Sequence, residues 1–367
     1  MRGDRLRILM TADAVGGVWT YALELAGALG ADVHLAVMGP APDAARRAQA
    51  ADVPGVSLHH GDFRLEWMDE PWDDVARAGE WLARLERRLA PDVVHLNGYA
   101  HGALPWRAPA VVVAHSCVCS WWRAVRGGDA PPAWDRYRAA VRDGLAGAAV
   151  VVAPTRAMAD ALAEHYGRGD GVRVVPNGRT PIAAPGPKEP LVLAAGRLWD
   201  EAKNVAAVVA AGRGAPWRTA LAGDGGVTDA AHVEALGFLP PADLGAWMAR
   251  AAVYALPARY EPFGLSALEA AHAGCALVLG DVPSLREVWG DAARFVPPDD
   301  ADALRAEIAA VMSDDRGRAV LGERARRRAA SYTPARMAAG YRAAYAAAAA
   351  GRAAAGRPAT AEVAACA

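Results

Sequence analysis

The chain has 367 residues, 53% of them hydrophobic, and carries 40 basic against 41 acidic side chains. That length exceeds one ordinary core and suits two domains of ~150 residues each. The balanced charge excludes nucleic acid as an expected partner.

Residues 6–12 read as a first strand, followed by a turn at Gly16 and Gly17 and a helix over about 18–29. Strands are expected near 33–38, 92–96, 110–114, 149–153 and 172–175, with helices near 73–89 and 133–147 between them. This alternation of strand-like runs and amphipathic helices predicts a parallel sheet with crossover helices, one doubly wound domain over 1–178. Pro176-Asn177-Gly178 and the Pro/Gly-rich stretch 180–187 then mark a linker over 179–190. A second α/β series opens at Leu191 and continues with strands near 218–222, 233–237, 253–256, 276–279 and 294–296. Its helices fall near 203–212, 241–251, 264–273, 300–312 and 315–330, which gives a second domain over 191–333. A last helix, 334–350, is expected to pack back on the first domain, and the Ala-rich tail 351–367 to fray. The predicted fold class is α/β, with two Rossmann-like doubly wound domains facing across a cleft, because open parallel sheets take ligands at the carboxyl ends of their strands.

No stretch approaches the ~20 apolar residues of a membrane span, and the N-terminus enters a strand without a signal-peptide pattern. A cytoplasmic protein without an integral membrane segment is expected. Cys117, Cys119, Cys275 and Cys366 are too few and too scattered for a disulfide framework, and the C-x-C pair lacks zinc-knuckle spacing.

The most informative segment runs from Tyr260 to Cys275. Glu261 and Glu269 stand eight residues apart across a helix start marked by Pro262 and Gly264. The first turn of such a helix offers free backbone amides and a positive dipole end to phosphate, while the two carboxylates suit hydroxyl groups. A ligand with phosphate between two polyols, a nucleotide-sugar, meets both demands. Arg197 and Lys203 lie in Gly-Arg-Leu-Trp-Asp-Glu-Ala-Lys-Asn, where a strand gives way to a helix, and can bracket a diphosphate. Only Lys188 and Lys203 are lysines among the 40 basic residues, so a lysine here is not background.

Weaker signals sit at other strand ends. Gly223 lets backbone approach a ligand, and Phe238 and Leu239 offer an apolar edge to a nucleobase. In the first domain, Asp13 precedes Gly16 and Gly17, whose amides can approach phosphate from across the cleft. Asn97 and His115 end two further strands, and Trp19, Trp121 and Trp122 provide aromatic faces for an acceptor. Neither a G-x-G-x-x-G dinucleotide fingerprint nor a P-loop occurs.

Together these residues resemble the retaining family-4 glycosyltransferases of the GT-B fold, through about residue 348. The specific elements are Glu261 to Leu265 with Glu269, Gly196-Arg197 with Lys203, Asp13 to Gly17, His115 and Pro176-Asn177-Gly178. The resemblance implies that Arg197 and Lys203 hold the donor diphosphate, Glu269 the ribose and Glu261 the transferred sugar. It further implies that Phe263, Gly264 and Leu265 present backbone amides, that Gly16 and Gly17 close the phosphate site, and that His115 touches the sugar near the reacting carbon. Two positions depart from the family pattern: Asn204 replaces a common glycine, and Cys275 occupies a position near a common proline.

The implied reaction is same-face transfer from a nucleotide-sugar, UDP-sugar by preference, to an acceptor hydroxyl, with no cofactor and no metal. The acceptor itself, a small molecule, a glycan or a lipid-linked compound, is not encoded in any readable pattern. A nucleotide-sugar 2-epimerase of the same fold and a catalytically silent nucleotide-sugar-binding protein are the alternative readings.

Overall fold

The computed structural model describes residues 5–13, 16–225 and 231–355. In the first half β1 (Arg7–Asp13), α1 (Gly17–Leu29), β2 (Asp32–Met38), α2 (Ala44–Ala51), β3 (Val56–Gly61), α3 (Trp72–Leu89) and β4 (Val93–Leu96) follow one another. They are succeeded by β5 (Ala110–Val113), α4 (Val118–Arg126), α5 (Asp135–Gly147), β6 (Val150–Ala153), α6 (Arg156–Tyr166) and β7 (Arg173–Val174). The second half holds β8 (Glu189–Ala195), α7 (Val205–Gly212), β9 (Arg218–Ala222), β10 (Glu234–Gly237), α8 (Pro241–Arg250), β11 (Ala251–Leu256) and α9 (Leu265–His272). β12 (Ala276–Gly280), α10 (Pro283–Trp289), β13 (Arg294–Val296), α11 (Ala301–Ser313), α12 (Asp315–Ala329) and α13 (Pro334–Ala355) complete it.

The strands form two parallel sheets, ordered β3-β2-β1-β4-β5-β6-β7 and β10-β9-β8-β11-β12-β13. Apolar runs such as Val-Val-Val-Ala in β6 and Ala-Ala-Val-Tyr-Ala-Leu in β11 are buried along their length, as strands covered by helices on both faces must be. Each sheet accordingly has two apolar layers, one per face. In both sheets the strand order reverses once, between β1 and β4 and between β8 and β11. A crevice opens at each reversal, beyond the carboxyl ends of the strands.

The chain crosses between the sheets twice. After β7 it passes through Gly178 into β8, and after α12 it returns into α13. There Met337, Tyr341 and Tyr345 join the apolar layer of the first sheet beside Tyr21 and Leu25. The two crossings touch. A Cβ on Gly178 would stand 2.2 Å from the Thr333 carbonyl oxygen, and the Arg179 amide donates to the Tyr332 carbonyl at 3.1 Å.

Several elements differ from the sequence reading. The helix expected over 203–212 is interrupted: residues 201–203 form a 3-10 turn, Asn204 adopts φ 54°, and α7 starts at Val205. Asparagine tolerates this left-handed conformation, and its side-chain amide donates to the Pro257 and Pro298 carbonyls at 3.0 and 2.5 Å. The departure from glycine at 204 is thereby accommodated. The helix expected from 133 starts at Asp135, after a 3-10 turn over 132–134. Five elements were not expected at all: α2, β3, α4, α6 and α10. α2 is a polar, Ala-rich helix and β3 a half-exposed edge strand, and neither carries a clear apolar period.

Candidate active site

The second sheet contributes the cationic part of the site. Arg197 follows β8, and its guanidinium donates through Nη2 to Asp200 at 2.8 Å, while its Nε is buried with no protein partner. Burial would raise the Asp200 carboxyl, but Arg197, the Trp121 indole and the Ala202 amide outweigh it and hold the group below the usual carboxylate range. Lys203, closing the 3-10 turn, meets Glu261 at 2.5 Å. Glu261 is buried, which by itself would raise its carboxyl; Lys203 and the amides of Phe263 and Gly264 prevail and hold it low.

The Glu261 carboxylate also changes the expected role of the helix head. Its Oε1 accepts from the Phe263 and Gly264 amides at 3.3 and 2.9 Å. Two of the amides expected to face a ligand are therefore capped by the protein itself, and Phe263 is a core residue packed edge-on to Tyr332. The head that remains begins at Leu265. Opposite it, a Cβ on Gly17 would lie 3.5 Å from Leu265 Cδ1, and one on Gly16 would lie 3.2 Å from Arg197 Nη1. The starts of α1 and α9 therefore meet at one place, with Arg197 against the first of them, and both dipoles favour an anion there.

Glu269, one turn into α9, is buried and held by a residue the sequence reading assigned to the linker. Arg179 donates through Nε to Glu269 at 2.6 Å and through Nη1 to Glu24 of α1. Glu24 also accepts from the Thr180 amide and hydroxyl. Burial raises the Glu269 carboxyl and Arg179 only partly offsets it. Nothing in the sequence marks Arg179 except its place directly after Pro176-Asn177-Gly178. Asp200 was likewise missed, although it lies inside the Arg197 to Asn204 motif.

Gly223 lies at the end of β9, where a Cβ would stand 1.7 Å from the Gly196 carbonyl oxygen at φ 145°. Only glycine fits. Phe238, after β10, is 61% exposed, whereas Leu239 packs on the apolar layer behind it.

In the first domain, Asp13 ends β1, Asn97 follows β4 and His115 follows β5. Asn97 Nδ2 donates to the Thr11 carbonyl at 2.7 Å, so Oδ1 is the acceptor for His115 Nε2 at 2.8 Å and His95 Nε2 at 3.0 Å. His95 Nδ1 in turn accepts from the Tyr345 hydroxyl of α13 at 2.7 Å. Burial lowers His115 to about 3 and His95 to about 4, so both rings are neutral, and His115 keeps Nδ1 as its acceptor atom. A cavity of about 100 Å³ adjoins these residues, and Glu66 and Trp67 complete its wall. Both come from the loop before α3, in which no pattern was legible.

The aromatic candidates separate. Trp19 is 4% exposed in the core, with its indole donating to Gln49 at 2.9 Å; it faces no ligand, which corrects the acceptor expectation. Trp122 is half-buried, with part of its ring packed on the apolar layer of the first sheet. Trp121 donates across the cleft to Asp200 at 3.2 Å, with the Arg126 guanidinium 5.7 Å from its ring. Its observed role is to bridge the domains. Arg126 itself grips Glu201 at 2.6 and 2.8 Å, and Thr155 donates to the Pro262 carbonyl at 3.1 Å.

Among the described residues no group of three His, Cys, Asp or Glu side chains is placed to hold a metal ion, and no helix is long and apolar enough to cross a membrane.

Residues 15–181 match the family model described as Glycosyltransferase Family 4, and residues 186–328 the one described as Glycosyl transferases group 1. A D-inositol 3-phosphate glycosyltransferase of Xylanimonas cellulosilytica is 31% identical, over 86% of this chain and 88% of that relative. The O-antigen chain mannosyltransferase B of Escherichia coli is 41% identical over 23% of this chain, and the match spans 22% of that relative's length. Anabaena HepE in complex with UDP and glucose superposes with a TM-score of 0.74 at 17% identity, covering 92% of this chain and 98% of that one. At that identity the likeness is one of fold.

Proposed function

The chain belongs to glycosyltransferase family 4, with the GT-B fold, and from that premise we propose that it is a retaining enzyme moving a sugar from a UDP-sugar to an acceptor hydroxyl. The observation that carries the reading is the meeting of the α1 and α9 starts beside Arg197, whose buried Nε has no protein partner. A diphosphate there receives two helix dipoles, a guanidinium and, from the Glu261 side, the Lys203 ammonium.

In this reading the donor ribose hydroxyls reach Glu269, the transferred sugar reaches Glu261, and the base lies near Gly223 and the exposed Phe238. The UDP complex of the fold neighbour HepE supports a uridine nucleotide. The acceptor oxygen forms its bond to the anomeric carbon on the face from which the diphosphate departs. The bond from that carbon to the phosphate oxygen breaks, and the acceptor proton passes to the departing phosphate. Charge growing on the diphosphate is met by Arg197 and Lys203, groups fixed before the reaction begins. His115, neutral and with Nδ1 as acceptor, can take a hydrogen bond from a sugar hydroxyl but carries no proton to the leaving group. No step is asked of a metal ion.

Proton NMR of the product formed from an α-linked UDP-sugar tests the reading. An α-linked product is expected, and a β-linked one would overturn the same-face route. A melting-temperature screen with UDP and GDP tests the nucleotide, since a ligand bound to the folded state raises apparent stability.

A further inference from the structure

We infer that Trp121 is a positioning residue for the donor diphosphate: from the first domain it fixes Asp200, and through Asp200 the guanidinium of Arg197. This rests on the donor reading above, in which Arg197 meets the diphosphate.

Three donors converge on one carboxylate. Asp200 Oδ1 accepts from the Ala202 amide at 3.0 Å and from the Trp121 indole at 3.2 Å, and Oδ2 accepts from Arg197 Nη2 at 2.8 Å. These donors come from three parts of the chain. Arg197 follows β8, Ala202 belongs to the 3-10 turn that closes at Lys203, and Trp121 stands on α4 of the first domain. The Asp200 carbonyl also accepts from the Lys203 amide at 2.9 Å. One acidic residue is thus bonded to the side chain of one proposed phosphate cation, to the main chain of the other, and to the opposite half of the molecule.

Burial decides which cross-domain contact sets the geometry. The Asp200 side chain is 6% exposed, so its bonds are made away from water, where each is stronger and a missing one is costly. Beside it, Arg126 and Glu201 pair with side chains 46% and 53% exposed, and a pair so solvated contributes little. That pair guides α4 to its place. The bond from indole to carboxylate then holds the register.

Arg197 has reason to be held. Its side chain is partly exposed, with the guanidinium 5.4 Å from the ring of Trp199 and Nη1 facing Gly16, where a Cβ would lie 3.2 Å from it. A long side chain of this kind gives up rotamer freedom when it grips a ligand, and a cation stabilises growing charge best when it is already in place. Asp200 fixes the guanidinium through Nη2, and Trp121 fixes Asp200. When α4 withdraws, water replaces the indole on Oδ1 and competes with Arg197 for Oδ2. The cation is therefore aimed while the two halves are joined and loosened when they part.

The test measures UDP affinity by titration calorimetry for the full chain as the parent, Trp121→Phe, Arg197→Ala and the double variant. Phenylalanine keeps an aromatic face for Arg126 and removes the indole N–H. Trp121→Phe is expected to weaken UDP binding by roughly threefold to tenfold, the range of one hydrogen bond, and to have no further effect in the Arg197→Ala chain. An Asp200→Ala background, in which Arg197 is retained, should silence Trp121→Phe in the same way. That silence separates action through Asp200 from a general loosening of α4, which would weaken UDP in every background. No loss in the parent, or a loss of the same size in either background, overturns the inference alone. Absence of UDP binding to the parent overturns the donor reading, and this inference with it.

Discussion

Arg179 Nε lies 2.6 Å from Glu269 Oε1, and the same guanidinium holds Glu24 of the opposite domain. One cation therefore ties α1 and α9, the two helices whose starts converge on the proposed phosphate site. Arg179→Ala strands two carboxylates, and the loss of a buried partner costs about 3–5 kcal/mol. Urea unfolding should show it, with part recovered in the Arg179→Ala, Glu269→Gln double variant. Without Arg179 the burial of Glu269 acts unopposed and raises its carboxyl further. Titration calorimetry of the single variant should then find UDP weaker at about pH 6 than at about pH 8, as Glu269 takes up a proton.

Lys203 and Glu261 separate stability from chemistry. Lys203→Met leaves Glu261 buried and unneutralised, so both the unfolding midpoint and the transfer rate should fall, the rate by about 10²–10³. Adding Glu261→Gln should restore the midpoint and leave transfer low. Recovery of turnover in the double variant would show that Lys203 serves only to neutralise Glu261.

The acid side of the stability curve follows from the same pair. Glu261 is lower in the folded protein than its ordinary value of 4.5. Its contribution is thus complete above that value and lost as pH falls through the lowered folded one. Glu269 has the opposite sign: its folded value is raised, so its contribution is greatest below the unfolded value and declines as pH rises through the folded one. Glu261→Gln should therefore flatten the loss of urea midpoint on acidification to about pH 3, compared with the parent. An unchanged acid slope would mean that other carboxylates set it.

Tyr345→Phe removes the donor to buried His95 Nδ1, with an expected cost of about 1–3 kcal/mol. Because His95 and His115 share the Asn97 oxygen, kcat should fall while the UDP-induced melting shift is kept. Equal loss in both readouts would point to general loosening of the first domain.

Gly223→Ala introduces a Cβ against the Gly196 carbonyl at a φ that side chains rarely adopt. A loss of more than about 2 kcal/mol is expected, together with weakened UDP binding, because both glycines shape the same strand ends.

The alternation of buried strands and amphipathic helices made both sheets legible, since burial on both faces writes itself as apolar runs. Edge strand β3 and helix α2 left no such trace. The residues of the proposed donor site stood out as candidates because Arg197, Lys203, Glu261 and Glu269 sit in short contiguous segments with residue types suited to a diphosphate and hydroxyls. Arg179 was not, because its meaning depends on Glu24 and Glu269, 155 and 90 positions away in sequence. Trp19 was misread for a related reason: an indole reads alike in a core and at a cleft, and only Gln49 and Asp200 tell Trp19 from Trp121. Glu66 and Trp67 belong to a loop whose sequence follows no period.

The contact of Gly178 with the Thr333 carbonyl has a mechanical consequence. Two covalent connections lying side by side act as one hinge pin, so the halves can swing about that line but resist sliding past each other. The bridges of Trp121 to Asp200 and Arg126 to Glu201 are contacts between the same two halves that any such swing would have to break.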